Sequence, residues 1–230
     1  MLGFKPPTHP FKVHHSRPIT NRHDGKTFII GGTSPWREDS DFIVQKMHDS
    51  ILIGVNRYVE HFVCHYWLTC DTHRIQERMP RVLYCMPDIT QTFVNADFPL
   101  PKGLVGAWTP DYRFSRPNGK LNDRLQPDGH YRIPRIWEAQ DSQYSLGLLQ
   151  HVHTSATAAV NLAMIMGAER IILHGVDLMG ETLTAANGMA VKRPWAEFAD
   201  DVSEFLNKVA QYVPVYKTNV HSPLDIPVLI

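Results

Sequence analysis

The stretch Thr154-Ser155-Ala156-Thr157-Ala158-Ala159-Val160-Asn161-Leu162-Ala163-Met164-Ile165-Met166-Gly167-Ala168-Glu169-Arg170-Ile171-Ile172-Leu173-His174-Gly175-Val176-Asp177 reads as one helix, turn, strand and acidic terminus. Ser155 to Met166 carries the small and apolar residues of a buried helix, and Gly167 stands where a left-handed C-cap would end it. Arg170-Ile171-Ile172-Leu173-His174 is then a buried strand that meets Gly175-Val176-Asp177. A helix feeding a strand in this way is the repeating unit of a parallel sheet.

Upstream the same alternation recurs. Thr27-Phe28-Ile29-Ile30 is a short apolar run ended by Gly31-Gly32-Thr33-Ser34-Pro35, a strand entering a turn, and a helix can follow from Asp39. Ser50 to Val55 and Tyr66 to Cys70 read as a second and third strand, and Val82-Leu83-Tyr84-Cys85 as a fourth. Downstream, Trp195 to Tyr212 reads as an amphipathic helix with Trp195, Phe198, Val202, Phe205, Leu206 and Val209 on one side. Val213-Pro214-Val215-Tyr216 is a last short strand. Together these elements predict an α/β fold, a Rossmann-like, doubly wound and mostly parallel sheet, in one domain over residues 25–230. Residues 95–135, rich in proline, glycine and aromatics without a sustained period, are expected to form a long irregular insertion or lid. Residues 1–24, with four prolines and four histidines, are expected to be an extended arm.

The totals narrow the function classes. Lysine plus arginine (23) equals aspartate plus glutamate (23), so no bulk electrostatic drive toward nucleic acid or an anionic membrane exists. The odd set Cys64, Cys70 and Cys85, without CxxC spacing, fits reduced thiols in a reducing compartment. No apolar run is long enough for a membrane span, and the first residues lack the apolar core of a signal peptide. A cytoplasmic protein is the expectation, with self-association left open.

Candidate site residues follow from where strands end. Gly31, Gly32, Thr33 and Ser34 can bend the backbone sharply and offer amides and hydroxyls to an anion, although a tight turn needing small residues would look the same. The loop is neither GxGxxG nor a Walker A sequence. Asn56 and Asp71 follow the second and third strands, at the edge where open α/β sheets take ligands; both residue types also serve as caps. His61 and His65, four apart, would share a helix face as a metal pair, but no glutamate completes an HExxH order, and no metal site is expected there.

With those residues in view, the chain resembles the bacterial CMP-sialic-acid-dependent sialyltransferase family. Its relatives include motility-associated glycosyltransferase-like proteins, phage proteins and an archaeal pterin pyrophosphokinase. The resemblance rests on the Thr154-Ser155-Ala156 helix opening with its strand to Asp177, the glycine loop at 31–34, Asn56 and Asp71. It also includes Val215-Tyr216 with Asn219 and Ser222-Pro223-Leu224. It covers most of residues 27–225 apart from the insertion. It implies a nucleotide site lined by Gly32, Thr33, Asn56, Asp71, Thr154 and Ser155, with Asp177 beside it and Ser222 in the terminal loop. Three departures stand out: the first loop reads Thr33-Ser34-Pro35 where the family has Gly-Pro-Ser, Ala156 replaces an expected glycine, and Ser145 occupies the register of the family's catalytic histidine.

A transferase of this kind needs a base for the acceptor hydroxyl, and a histidine titrates in the useful range. His153, at a helix N-terminus, is the first candidate and His151 the second; packing or capping would account for either equally well. Arg113, Arg116, Arg124, Arg132 and Arg135 could hold phosphate or an acidic sugar, as could simple surface solubility explain them. The leading expectation is a glycosyltransferase-like enzyme that binds a nucleotide-activated sugar and requires no cofactor. The alternatives are a noncatalytic nucleotide-binding protein and a pyrophosphokinase acting on a pterin-like substrate. The last would need Mg²⁺, with Asp71 and Asp177 as its carboxylates.

Overall fold

The computed structural model describes residues 19, 21–70, 79–86, 90–95, 112–114, 153–186 and 189–229. Nine strands occur among them: β1 (Lys26–Gly31), β2 (Ile51–Val55), β3 (Tyr66–Thr69), β4 (Gln91–Asn95), β5 (Tyr112–Phe114), β6 (Ala168–His174), β7 (Glu181–Ala186), β8 (Met189–Pro194) and β9 (Val215–Lys217). The α-helices are α1 (Asp41–Lys46), α2 (Met79–Cys85), α3 (Ser155–Ile165) and α4 (Ala199–Ala210).

Seven strands form one sheet in the order β5-β4-β3-β2-β1-β6-β9, and every neighbouring pair is parallel. The chain steps outward from β1 to β5, then returns to place β6 on the other side of β1. A switch in strand order therefore falls between β1 and β6, and in open α/β sheets ligands bind outside the carboxyl ends of the strands at such a point. This is the α/β, Rossmann-like arrangement that the sequence predicts.

The strands read as continuous apolar runs because both faces of the sheet are covered. On one face Phe28, Ile30, Ile53, Leu68, Ile171 and Leu173 pack with α3 and α4; on the other Ile29, Leu52, Trp67 and Ile172 pack with Tyr58, Val59 and Val82. Every residue of α3 is buried. In α4 burial returns at Val202, Phe205, Leu206 and Val209, the 3.6-residue period of a helix lying on a core. Gly167, with φ +90°, provides the left-handed turn out of α3, and its amide returns to the Met164 carbonyl at 3.1 Å.

Several boundaries differ from the sequence reading. Val82-Leu83-Tyr84-Cys85 is not a strand: it belongs to α2, where Val82 is buried and Tyr84 is 85% exposed. The fourth strand is Gln91–Asn95, whose Gln91 and Thr92, with Thr90 just before them, are buried polar residues that hide it from an apolar scan. It ends at Asn95, the first residue of the segment expected to be irregular, and β5 lies within that segment; residues 96–111 and 115–152 lie outside the described residues. The segment from Asp39 is a 3₁₀ turn over Pro35–Ser40 followed by the short α1, and Trp195–Phe198 is likewise a 3₁₀ turn before α4. The last strand starts two residues later than expected, at Val215, because Pro214 has no amide to give a ladder; its carbonyl accepts from Ile171 N instead. An antiparallel hairpin, β7–β8, forms a second, two-stranded sheet between β6 and α4 in the chain, beyond the elements that the sequence predicts.

The end of the proline- and histidine-rich arm is docked. Asn21 N and His23 N donate to the Ile165 and Met166 carbonyls at 2.8 and 2.9 Å, and Arg22 Nη1 donates to Gln91 Oε1 at 2.7 Å.

Candidate functional site

A crevice of about 490 Å³ opens at the C-terminal edge of the sheet, at the β1/β6 switch. The turn after β1 contributes Gly32, Thr33, Ser34 and Pro35; the end of β2 contributes Val55, Asn56 and Arg57. His153, Thr154, Ser155 and Ala156 enter from the start of α3, Gly175 to Gly180 follow β6, and Trp195 closes the set. Eight of the residues singled out from sequence thus share one rim: Gly32, Thr33, Ser34, Asn56, His153, Thr154, Ser155 and Asp177. Gly31 and Ser222 do not line it, and Asp71 and His151 lie outside the described residues.

The individual roles differ from a simple phosphate cradle. Gly32 N donates to the His174 carbonyl at 2.7 Å and Ser34 N to the Gly175 carbonyl at 3.0 Å, so two amides of the glycine turn are already spent joining β1 to β6. A side chain at Gly32 would put its Cβ 2.3 Å from the Gly175 oxygen, which explains why glycine stands there. At Gly31 the Cβ would meet the Tyr58 ring at 2.2 Å, so this glycine serves packing on the opposite face. Only six residues make up α1, too few to present a strong dipole to that turn.

The better anion end is α3. Thr154 caps it, its Oγ1 accepting from Thr157 N at 3.3 Å, and the first turn of this 11-residue helix faces the crevice. Ser155 Oγ accepts from Cys70 N at 3.0 Å, which ties the helix start to the end of β3. Asn56, at φ +55°, accepts from Thr69 Oγ1 at 2.7 Å through its side chain, while its carbonyl accepts from Trp67 Nε1 at 2.6 Å. These two polar side chains shape the rim before any ligand arrives.

Arg57 and Trp195 were not picked out from sequence. Arg57 follows directly after Asn56 and is the one permanent cation among the described lining residues. Glu60 holds it, with Arg57 Nε donating to Oε1 at 3.0 Å, and this hydrogen bond raises the guanidinium pKa further. Trp195 fits the apolar side of the predicted helix; it is half-buried, packs against the core and also lines the crevice. A cation beside a strand-end asparagine and a tryptophan after a hairpin were the available signals.

His153 sits at φ +56° on the rim, where Nε2 donates to Asp201 Oδ2 at 2.6 Å and the ring lies 4.5 Å from that of Phe198. Both partners come from the region of α4, across 45 residues or more of chain. Among the described residues four non-glycine positions have positive φ, and three of them, Asn56, His153 and Leu178, line this crevice. Such backbone costs roughly 1–3 kcal/mol each and gathers where function holds it in place.

Below the turn after β6 lies a buried polar cluster. His174 Nε2 faces two acceptors, Asp41 Oδ1 at 3.1 Å and the Arg37 carbonyl at 3.3 Å, so it carries the proton and Nδ1 accepts from the Tyr58 hydroxyl at 2.7 Å. Arg37 pairs with Asp41 at 3.2 Å. Burial pulls the His174 pKa below its ordinary 6.5 and pushes the Tyr58 phenol up. Asp177, three residues on, is 2% exposed, and its Oδ2 has no hydrogen-bond partner among the described residues. Its backbone carbonyl accepts from Ser222 Oγ at 3.0 Å, and Lys217 Nζ donates to the Ser222 and Leu224 carbonyls at 2.8 and 2.5 Å. Ser222 therefore acts behind the site, clamping the Asp177 turn.

His61 and His65 do not share a helix face. His61 follows a short 3₁₀ turn, and His65 Nδ1 accepts from Leu52 N at 3.0 Å at the entry to β3. Among the described residues no three His, Cys, Asp or Glu side chains gather closely enough to hold a metal ion. Nor, among those residues, is any helix long and apolar enough to cross a membrane.

The fold is that of an α/β protein with a crevice at the switch point of a parallel sheet. Among solved structures the chain is similar to the MAf glycosyltransferase from Magnetospirillum magneticum AMB-1, with a TM-score of 0.56 at 12% identity. The match covers 92% of this chain and 34% of that one, so the chain spans about a third of its neighbour. No protein-family profile and no curated protein sequence matches. The shared fold is thus one that a glycosyltransferase also uses.

Proposed function

We propose that the crevice binds a nucleotide-activated sugar, a CMP-sugar in the first instance, and that the protein transfers the sugar to an acceptor hydroxyl. The observation that carries this reading is the convergence of the α3 N-terminus, Arg57 and His153 on one cleft at the switch point. His153 takes the acceptor proton as the oxygen attacks the anomeric carbon. The bond from that carbon to the donor phosphate breaks, and its electron pair leaves on the nucleotide. Asp201 holds the ring through Nε2, which leaves Nδ1 as the basic nitrogen. Growing charge on the leaving phosphate meets Arg57 and the first turn of α3. A single displacement of this kind inverts the anomeric centre. The glycosyltransferase neighbour supports the fold half of the reading, and the resemblance to sialyltransferases supports the choice of CMP.

The test is product formation from CMP-sugars with a mixed acceptor panel, followed by NMR. His153→Ala is expected to lower turnover by about 10²- to 10⁴-fold while CMP still binds. Full activity in that variant would contradict the assignment and move attention to His151. Binding of CMP with no transfer to any acceptor would favour a noncatalytic nucleotide-binding protein.

A further inference from the structure

The carboxylate of Asp177 is the group in this crevice whose chemistry is least satisfied. It lines the cleft, is 2% exposed, and has an oxygen without a donor among the described residues. A buried carboxylate left without donors is costly, and it persists where something else supplies them. The described cations of the cleft are committed elsewhere, Arg57 to Glu60 and His153 to Asp201. The backbone that carries it is fixed, since Ser222 Oγ donates to the Asp177 carbonyl and Lys217 Nζ to the Ser222 carbonyl.

We propose that Asp177 is the specificity-determining acceptor for a vicinal diol of the ligand, and that it thereby sets which way round the ligand lies. An ionised carboxylate is acceptor-only, so it pairs with hydroxyl donors and repels phosphate. The diol end therefore lies at Asp177 and the phosphate end toward Arg57 and the α3 N-terminus. Trp195, lining the same cleft, provides a flat apolar face for a sugar ring or base beside it. The inference rests on the nucleotide-sugar reading only for the phosphate end. The diol itself can belong to ribose or to a free sugar.

Calorimetry on the full chain and on Asp177→Asn separates these sources, with CMP, 2′-deoxy-CMP, galactose, pyrophosphate and Mg²⁺ alone as probes. The expected result is that wild type prefers CMP over 2′-deoxy-CMP by about tenfold or more, and that Asp177→Asn erases the preference while pyrophosphate binding is unchanged. Asp177-dependent binding of galactose without CMP binding would keep the diol inference and overturn the nucleotide reading. Equal CMP affinity in both proteins would overturn the inference and leave the nucleotide reading standing. Binding of no diol-bearing probe to wild type would overturn both. Mg²⁺ binding that depends on Asp177 would also overturn the inference, by making the carboxylate a cation ligand. The CMP against 2′-deoxy-CMP comparison decides on wild type alone should the variant not fold: equal affinities there count against the proposal.

Discussion

His174 and Asp177 lie three residues apart on either side of one glycine turn, both buried, and the structure treats them oppositely. His174 has all its hydrogen-bonding capacity used by Tyr58, Arg37 and Asp41, on the protein's side of the turn. Asp177, a crevice-lining residue, has its backbone carbonyl held and its Oδ2 without a partner among the described residues. A buried polar group with every partner supplied by the fold is part of the scaffold; one with a partner missing at the wall of a crevice is a place where a ligand or water can supply it. The pair therefore divides the same short segment into a structural half and a binding half.

Substitutions should separate the two halves. The largest effect is expected from His174→Ala, which leaves the buried Tyr58 hydroxyl without its acceptor and empties a fully buried side-chain site, while the Arg37 carbonyl keeps its bond from Ser40 Oγ: about 3 kcal/mol of stability lost, read by urea unfolding. Tyr58→Phe leaves one imidazole nitrogen without its donor and should cost about 1–2 kcal/mol in the same assay. Asp177→Asn, which removes a buried charge and no hydrogen bond to that oxygen, should change stability by less than about 1 kcal/mol. A loss as large as that of His174→Ala would erase the distinction.

The comparison also predicts a pH dependence. The folded pKa of His174 lies below the unfolded value near 6.5, because burial, helped by the Arg37 guanidinium, outweighs the Asp41 and Asp177 carboxylates and the hydrogen bond to the Arg37 carbonyl. Between the two values the unfolded chain holds more protons. Stability is therefore fully present above about pH 6.5, falls as pH drops below it, and stops falling once the folded imidazole also protonates. Urea midpoints across pH 7.5 to 5 should show a smaller decline in His174→Gln; His61 and His65, both lowered by burial, contribute the same sign and should leave a residual slope.

The legibility of the sequence followed the same division. The central strands β1, β2, β3 and β6 were readable because burial on both faces demands unbroken apolar runs. The Thr154–Asp177 block was readable end to end, since a buried helix, a φ +90° glycine and a buried strand each leave their own signal. Toward the sheet edge the signal failed. Four apolar residues around Val82 cannot tell strand from helix, and β4 carries buried threonine and glutamine in place of apolar residues. The β7–β8 hairpin carries a local cue in the sequence, Asn187-Gly188 between its strands, but lacks the apolar runs of the central sheet. At the crevice, residue types at strand ends identified much of the rim. They could not reveal that the Gly32 and Ser34 amides are spent on backbone carbonyls, or that Asp201 from α4 holds His153, because both facts depend on long-range contacts.

The central claim is that this switch-point crevice is where a nucleotide settles. Amide chemical-shift mapping of the ¹⁵N-labelled protein titrated with CMP tests it most directly. The perturbed residues should be Thr33, Asn56, Arg57, Ser155, Ala156 and Asp177, drawn from four separated segments that meet only in the fold. Saturable shifts confined to residues outside that set, or none at millimolar CMP, would contradict it.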